Sequence, residues 1–280
     1  MVTEDLTIGY SPCPNDTFIF HGLVHGLAAV AGLELAEPLL ADVETLNEWA
    51  LAGRLDVTKI SCHALGHVLG EYQLLNAGAA LGRGCGPLLV SREPFTPDEL
   101  STRRIAIPGR LTTAALLLKL FAPQCTDLVP MRFDLIMPAI VEGQVDGGVI
   151  IHESRFTYQQ HGLLSLCDLG AWWEEVSGSP IPLGCIVARR SLGAERLGLL
   201  EGLIRASVRQ AFGNAALSWD YIRSHARELD DQVIAEHIGL YVNPFSLDLG
   251  EEGRGAIATL LSRGRAAGVF PPGGGESDFF

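Results

Sequence analysis

Short apolar runs of strand type alternate with helical patterns from the start of the chain, and this alternation limits the fold more than any other feature. Leu6 to Gly9, Leu33 to Leu40, Asp56 to Ile60 and Gln73 to Asn76 each read as strands, with helix-like stretches between them. Such a pattern predicts parallel βαβ units. A second set opens with Ile105 to Pro108, continues through Leu128 to Met131 and Gly147 to Ile151, and ends near Leu163 to Leu166. With 280 residues the chain is long enough for two cores rather than one.

Two apolar connectors ending in arginine, Gly86 to Arg92 and Leu183 to Arg189, join the sets. From Leu192 onward the chain is mostly helical, with Arg196 to Ala216, Asp231 to Leu240 and Gly250 to Ala267 expected to return over the first lobe before a Gly/Pro-rich tail. A discontinuous first lobe (1–90 and 186–280), an inserted second lobe (91–185) and two crossing strands describe an α/β, two-lobed, type II periplasmic-binding-protein-like fold with a central cleft. The glycine-rich Gly82 to Gly86 leads into a strand, whereas a dinucleotide fingerprint follows a strand and opens a helix. It is read as a turn and hinge.

Charge narrows the partners. A formal net charge of −13 argues against nucleic-acid or anionic-membrane surfaces, because like-charged bodies gain nothing from counterion release. No apolar run reaches membrane-spanning length, and Met1 to Asp5 carries acids with no basic stretch before the first strand. The six cysteines have no C-x-x-C spacing, so reduced thiols and a cytoplasmic location are expected. Monomer and homodimer both stay open.

The chemistry is expected at strand-to-helix junctions, since ligands of open parallel sheets collect beyond the carboxyl ends of the strands and helix N-termini attract carboxylates. Ser11 to Thr17 is the first such junction, read from local physics as a well-capped helix starting near Phe18. Lys59-Ile60-Ser61 is the second: Ser61 is a candidate N-cap, and Lys59 either faces water or places an ammonium beside an anionic ligand. At the third, Gly109 permits a tight turn, and Thr112 or Thr113 can cap the helix from Ala114 while offering a hydroxyl to the cleft.

His152 follows the buried-looking strand Gly147 to Ile151, and its side chain has an unperturbed pKa near neutrality. It is a candidate general base, although a lone histidine serves structure more often than catalysis, so position alone leaves both readings open. Glu153 either orients the imidazole or faces water. The pairs His21/His25 and His63/His67 share helix faces at i, i+4 but lack the glutamate of H-E-x-x-H, and Cys62 points elsewhere than His63. They are read as structural, so no metal is expected.

The same junctions carry a family resemblance. Ser11 to Phe20, Asp42-Val43-Glu44-Thr45-Leu46-Asn47, Pro108-Gly109-Arg110 with the threonine pair, Ile150 to Tyr158, Asp168 to Glu175 and Tyr241-Val242-Asn243 together resemble the 1,4-dihydroxy-6-naphthoate synthases of the futalosine route to menaquinone. The resemblance covers nearly the whole chain. It implies a carbon-carbon lyase that converts cyclic dehypoxanthine futalosine into 1,4-dihydroxy-6-naphthoate, without metal or organic cofactor. It also implies proton abstraction by His152 and contacts to a carboxylate-bearing substrate from Lys59, Ile60, Ser61, Thr113 and Ala114. Cys62-His63 departs from the aromatic residue that relatives often place there. Two alternatives are a small-carboxylate binding protein without catalysis, which shares the architecture, and the related chorismate dehydratase, against which the Ser11 to Asp16 and Ile150 to Arg155 runs count.

Overall fold

A computed structural model describes residues 5–28, 33–226 and 230–270. The strands are β1 (Ile8–Tyr10), β2 (Leu39–Leu40), β3 (Val57–Ser61), β4 (Tyr72–Leu74), β5 (Ala80–Gly82), β6 (Leu88–Ser91), β7 (Ile105–Ile107), β8 (Leu128–Pro130), β9 (Gly147–Ile150), β10 (Leu164–Asp168) and β11 (Ile181–Arg189). The helices are α1 (Pro14–Val24), α2 (Val43–Leu51), α3 (Cys62–Val68), α4 (Thr113–Phe121), α5 (Phe133–Val141), α6 (Ser154–Thr157), α7 (Leu169–Ser177), α8 (Gly193–Gly213), α9 (Trp219–His225), α10 (Asp231–Tyr241), α11 (Pro244–Leu247) and α12 (Gly250–Ala266). They build two sheets. The first has the order β2-β1-β3-β11-β4, with β5 also paired to β11, and the second β10-β6-β9-β7-β8.

Parallel pairing joins β1 to β2 and β3, and β7 to β8 and β9, as the alternating pattern predicts. The connectors run antiparallel to these strands, β6 against β9 and β11 against β3. β6 lies wholly in the second sheet and β11 wholly in the first, so the sheets exchange the chain a few residues before the 90/91 and 185/186 boundaries. At one crossing the backbones nearly touch: a Cβ on Gly86 would lie 2.2 Å from Gly170 Cα. Only glycine fits there.

Alternation along β11 serves two cores. Ile186 and Ala188 join Phe18, Phe20 and Ile204 in a cluster under α1 and α8, while Cys185 and Val187 face a second cluster with Leu65, Leu117 and Trp173. That second cluster takes residues from both sheets, including Ile60 and Ile105, so the two lobes share buried apolar surface. A third cluster, with Val90, Ile136 and Ile140, lies between α5 and the second sheet.

Three elements differ from the expectation. The run Leu33 to Leu40 shrinks to the two residues of β2 plus a bridge from Leu35 to Leu6, because Pro38 cannot donate to a ladder. Helix α1 begins at Pro14 rather than near Phe18, since proline at the first helical position has no amide to satisfy. The glycine-rich stretch Gly82 to Gly86 begins as the last residue of β5, a strand that a hinge reading leaves out. The Gly/Pro-rich tail after Phe270 lies outside the described residues.

Candidate functional site

A cavity of about 650 Å³, its open mouth included, lies where the sheets face each other. Its lining comes from the junction after β1 (Ser11, Asn15, Asp16), the end of β3 (Lys59, Ile60, Ser61), the start of α4 (Thr112, Thr113, Ala114), the residues after β9 (Ile151, His152) and β11 (Leu183, Gly184). Tyr241, at the end of α10, adds an aromatic wall. All six residues singled out as site candidates therefore meet in one cavity, at the carboxyl ends of parallel strands.

Lys59 does not reach freely for a ligand. Its ammonium lies 3.2 Å from Asp16 Oδ1 and donates to the Gly78 carbonyl at 2.6 Å, and both charged side chains are only 4% exposed. Asp16 is further satisfied by the Ser11 hydroxyl at 2.7 Å and by Asn15 Nδ2 at 2.8 Å. A buried ion pair survives desolvation only with such added hydrogen bonds. The first junction thus holds part of the site, where capping logic alone places only a helix start.

The network fixes a tautomer. Because the Asp16 carboxylate accepts, Asn15 must present Nδ2 to it and Oδ1 to His237, which lies on α10 and is fully buried. His237 Nε2, 2.9 Å from that oxygen, therefore carries the proton. Burial and the neighbouring His152 hold His237 well below the ordinary histidine range, so it stays neutral.

His152 stacks on His237 with ring centres 5.8 Å apart and planes 10° from parallel, while Phe133 packs T-shaped against it with ring centres 4.9 Å apart. Its φ of +57° is the only positive value on a non-glycine residue among the described residues. Backbone strain of this kind concentrates at functional sites. Burial lowers the His152 pKa, partly offset by the nearby acids Glu153, Asp16 and Asp42, so the imidazole is neutral and able to accept a proton at physiological pH. Glu153 does not hydrogen-bond His152; its Oε2 lies 3.8 Å from His237 Nδ1. Arg155 braces the segment instead, donating to the Gly86 carbonyl at 2.5 Å and to Asp168 at 2.6 Å.

At the third junction Thr112 is the cap, its hydroxyl accepting from the Ala115 amide at 3.2 Å. The Thr113 hydroxyl is directed away from a ligand, donating to the Leu183 carbonyl at 2.7 Å. What α4 offers the cavity is backbone: the amides of Thr113 and Ala114 have no protein acceptor among the described residues and sit at the positive end of the helix dipole. Ser61 precedes α3 as expected, yet its hydroxyl makes no capping bond and meets Asn47 instead.

Contacts between the lobes surround these groups. His63 Nδ1 lies 3.0 Å from the Thr112 carbonyl, and Glu44 accepts from the Leu111 amide at 3.0 Å. Burial pushes His63 down to about 4 and raises Glu44. Gly109, at φ +146°, leaves the space that the Glu44 carboxylate fills. The His21 and His25 rings pack against each other, tilted by 30° with centroids 4.3 Å apart, and among the described residues no group of three His, Cys, Asp or Glu side chains is arranged to hold a metal ion. No described helix is long and apolar enough to cross a membrane.

Comparison with known proteins places this geometry. Residues 6–266 match the family model described as menaquinone biosynthesis. A Thermus thermophilus protein named 1,4-dihydroxy-6-naphthoate synthase is 51% identical over 269 residues, covering 96% of this chain and 97% of its own. One of the same name from Streptomyces coelicolor is 48% identical, covering 97% and 96%. A crystal structure from Archaeoglobus fulgidus superposes with a TM-score of 0.90 at 34% identity, over 96% of this chain and all of that one. The alkanesulfonate-binding protein of Xanthomonas axonopodis, bound to MOPS, gives 0.71 at 14% identity, covering 95% and 94%, which shows a shared periplasmic-binding-protein fold. The chain belongs to the menaquinone biosynthesis family.

Proposed function

We propose that this chain is a lyase that converts cyclic dehypoxanthine futalosine into 1,4-dihydroxy-6-naphthoate, with His152 as the general base. It would work in the cytoplasm without metal or organic cofactor, as the resemblance of its junction motifs implies. The observation that carries the reading is His152 itself: a neutral imidazole on the cavity wall, packed against Phe133 and His237 in a left-handed backbone conformation. Relatives at about half identity named 1,4-dihydroxy-6-naphthoate synthase support the product of this reading.

The chemistry fits the groups present. Removal of a hydroxyl proton from the sugar-derived ring triggers carbon-carbon cleavage, and aromatisation to the naphthalene supplies driving force. A base titrating near or below neutrality suffices. The amides of Thr113 and Ala114 suit the substrate carboxylate, while Ile60, Ile151, Leu183 and Tyr241 offer apolar surface to its ring system. Closure of the lobes over the substrate would exclude water and hold it against the base.

Purified protein given the cyclic futalosine derivative, with no added cofactor, is expected to release 1,4-dihydroxy-6-naphthoate. Binding of the compound with no product over many hours would favour a carboxylate-binding protein instead.

A further inference from the structure

Asn47, the last residue of the motif Asp42 to Asn47, has no part in the chemistry above, yet it is fully buried beside the cavity. Asn47 lies on α2, which Asp42 caps through the amides of Glu44 and Thr45. Two bonds fix the orientation of its carboxamide. The Ser61 amide can only donate, and it lies 2.8 Å from Asn47 Oδ1. The Glu44 carboxylate, which takes the Leu111 amide from the other lobe, accepts from Asn47 Nδ2 at 3.2 Å. The same Nδ2 is 3.1 Å from Ser61 Oγ. Nitrogen donates here, so Ser61 Oγ accepts, and the hydroxyl proton of Ser61 must point elsewhere.

Among the described residues no protein acceptor takes that proton, and Ser61 lines the cavity while being 3% exposed. We propose that Asn47 is a positioning residue that forces Ser61 to act as a hydrogen-bond donor to the ligand, so that this subsite takes an acceptor oxygen, a carboxylate or carbonyl, and rejects a donor. Through Glu44 the same side chain ties the polarity of Ser61 to the approach of the Leu111 loop. The arrangement leaves the Thr113 and Ala114 amides and the Ser61 hydroxyl as donors from opposite lobes around one cavity. Loss of Asn47 frees the Ser61 hydroxyl to rotate towards protein acceptors and weakens ligand binding without touching the base.

The inference rests on the proposed reaction only for its readout. Steady-state constants are to be measured for the parent, Asn47→Ala, Ser61→Ala and the double variant, together with titration of 1,4-dihydroxy-6-naphthoate onto each. Both single variants are expected to raise KM and the product dissociation constant about tenfold while kcat stays within about twofold, a factor typical of one lost hydrogen bond in a buried site. The double variant is expected to be no worse than Ser61→Ala, because Asn47 acts through that hydroxyl. Multiplying effects in the double variant, or an unchanged dissociation constant in Asn47→Ala, would overturn the proposal. If Asn47→Ala does not fold, the near-isosteric Asn47→Leu replaces it: it fills the same volume without a donor for Ser61 Oγ, and the same non-additivity is expected. A parent that binds the naphthoate but turns over no futalosine derivative sinks the reaction and leaves the Asn47 result to stand or fall on the titrations.

Discussion

Replacing Asp16 with asparagine tests the buried network beneath the cavity. The substitution keeps shape but removes the charge facing Lys59, whose ammonium is 4% exposed and has only the Gly78 carbonyl as its other protein acceptor among the described residues. Breaking a buried pair on one side costs about 3–5 kcal/mol, because the remaining charge is left uncompensated. The hydrogen bonds from Ser11 and Asn15 at 2.7 and 2.8 Å also weaken when their acceptor becomes neutral. At about 2–4 °C of melting temperature per kcal/mol for a chain near this size, Asp16→Asn is expected to melt roughly 10 °C below the parent. Scanning calorimetry at neutral pH measures the shift. Adding Lys59→Met should recover most of it, since the orphaned charge goes too. The reasoning fails if Asp16→Asn melts within about 2 °C of the parent, or if the second change deepens the loss.

Acid should destabilise the fold through its buried histidines. For His63, held down to about 4 against 6.5 unfolded, the unfolded chain binds the extra proton, so stability is complete above about 6.5 and declines as pH falls towards 4. The shift corresponds to roughly 3 kcal/mol, and the difference between the unfolding free energies at pH 7 and pH 4, read from urea titrations, should be smaller by about that amount in His63→Gln than in the parent. Gly86→Ala drives a methyl into Gly170 Cα at 2.2 Å and should cost about 1–3 kcal/mol, read as a lowered melting temperature; an unchanged value would contradict the close crossing.

Much of this was legible in local patterns, because strand ends and helix starts are written in neighbouring residues. The positions of β3, β9 and α4 follow from apolar runs meeting Ser61, His152 and the threonine pair, and those runs lead to one cavity. Partnerships across the fold were not legible. Asp16 pairs with Lys59, and Asn15 meets His237 across 222 positions of sequence, so local capping propensity outranked a site role for the first junction. Asn47 reaches Ser61 across the gap between α2 and β3, and nothing in its helical run announces that contact. The i, i+4 histidine pairs show the converse: spacing that suits a metal is also the spacing of ring packing, as His21 and His25 demonstrate. Residue identity settled Lys59 no better, since only the tertiary fold decides whether an ammonium meets solvent, ligand or Asp16.

The central claim is that His152 removes the proton that starts cleavage, and one substitution separates its basicity from its backbone. Asparagine tolerates the left-handed conformation at φ +57° better than most residues and cannot serve as a base near neutral pH. The decisive measurement is the single-turnover rate of His152→Asn with the cyclic futalosine derivative, taken at saturating enzyme so that binding does not enter. The account predicts a fall of about 10²–10⁴-fold with the product dissociation constant little changed. A rate within a few-fold of the parent would show that another group takes the proton.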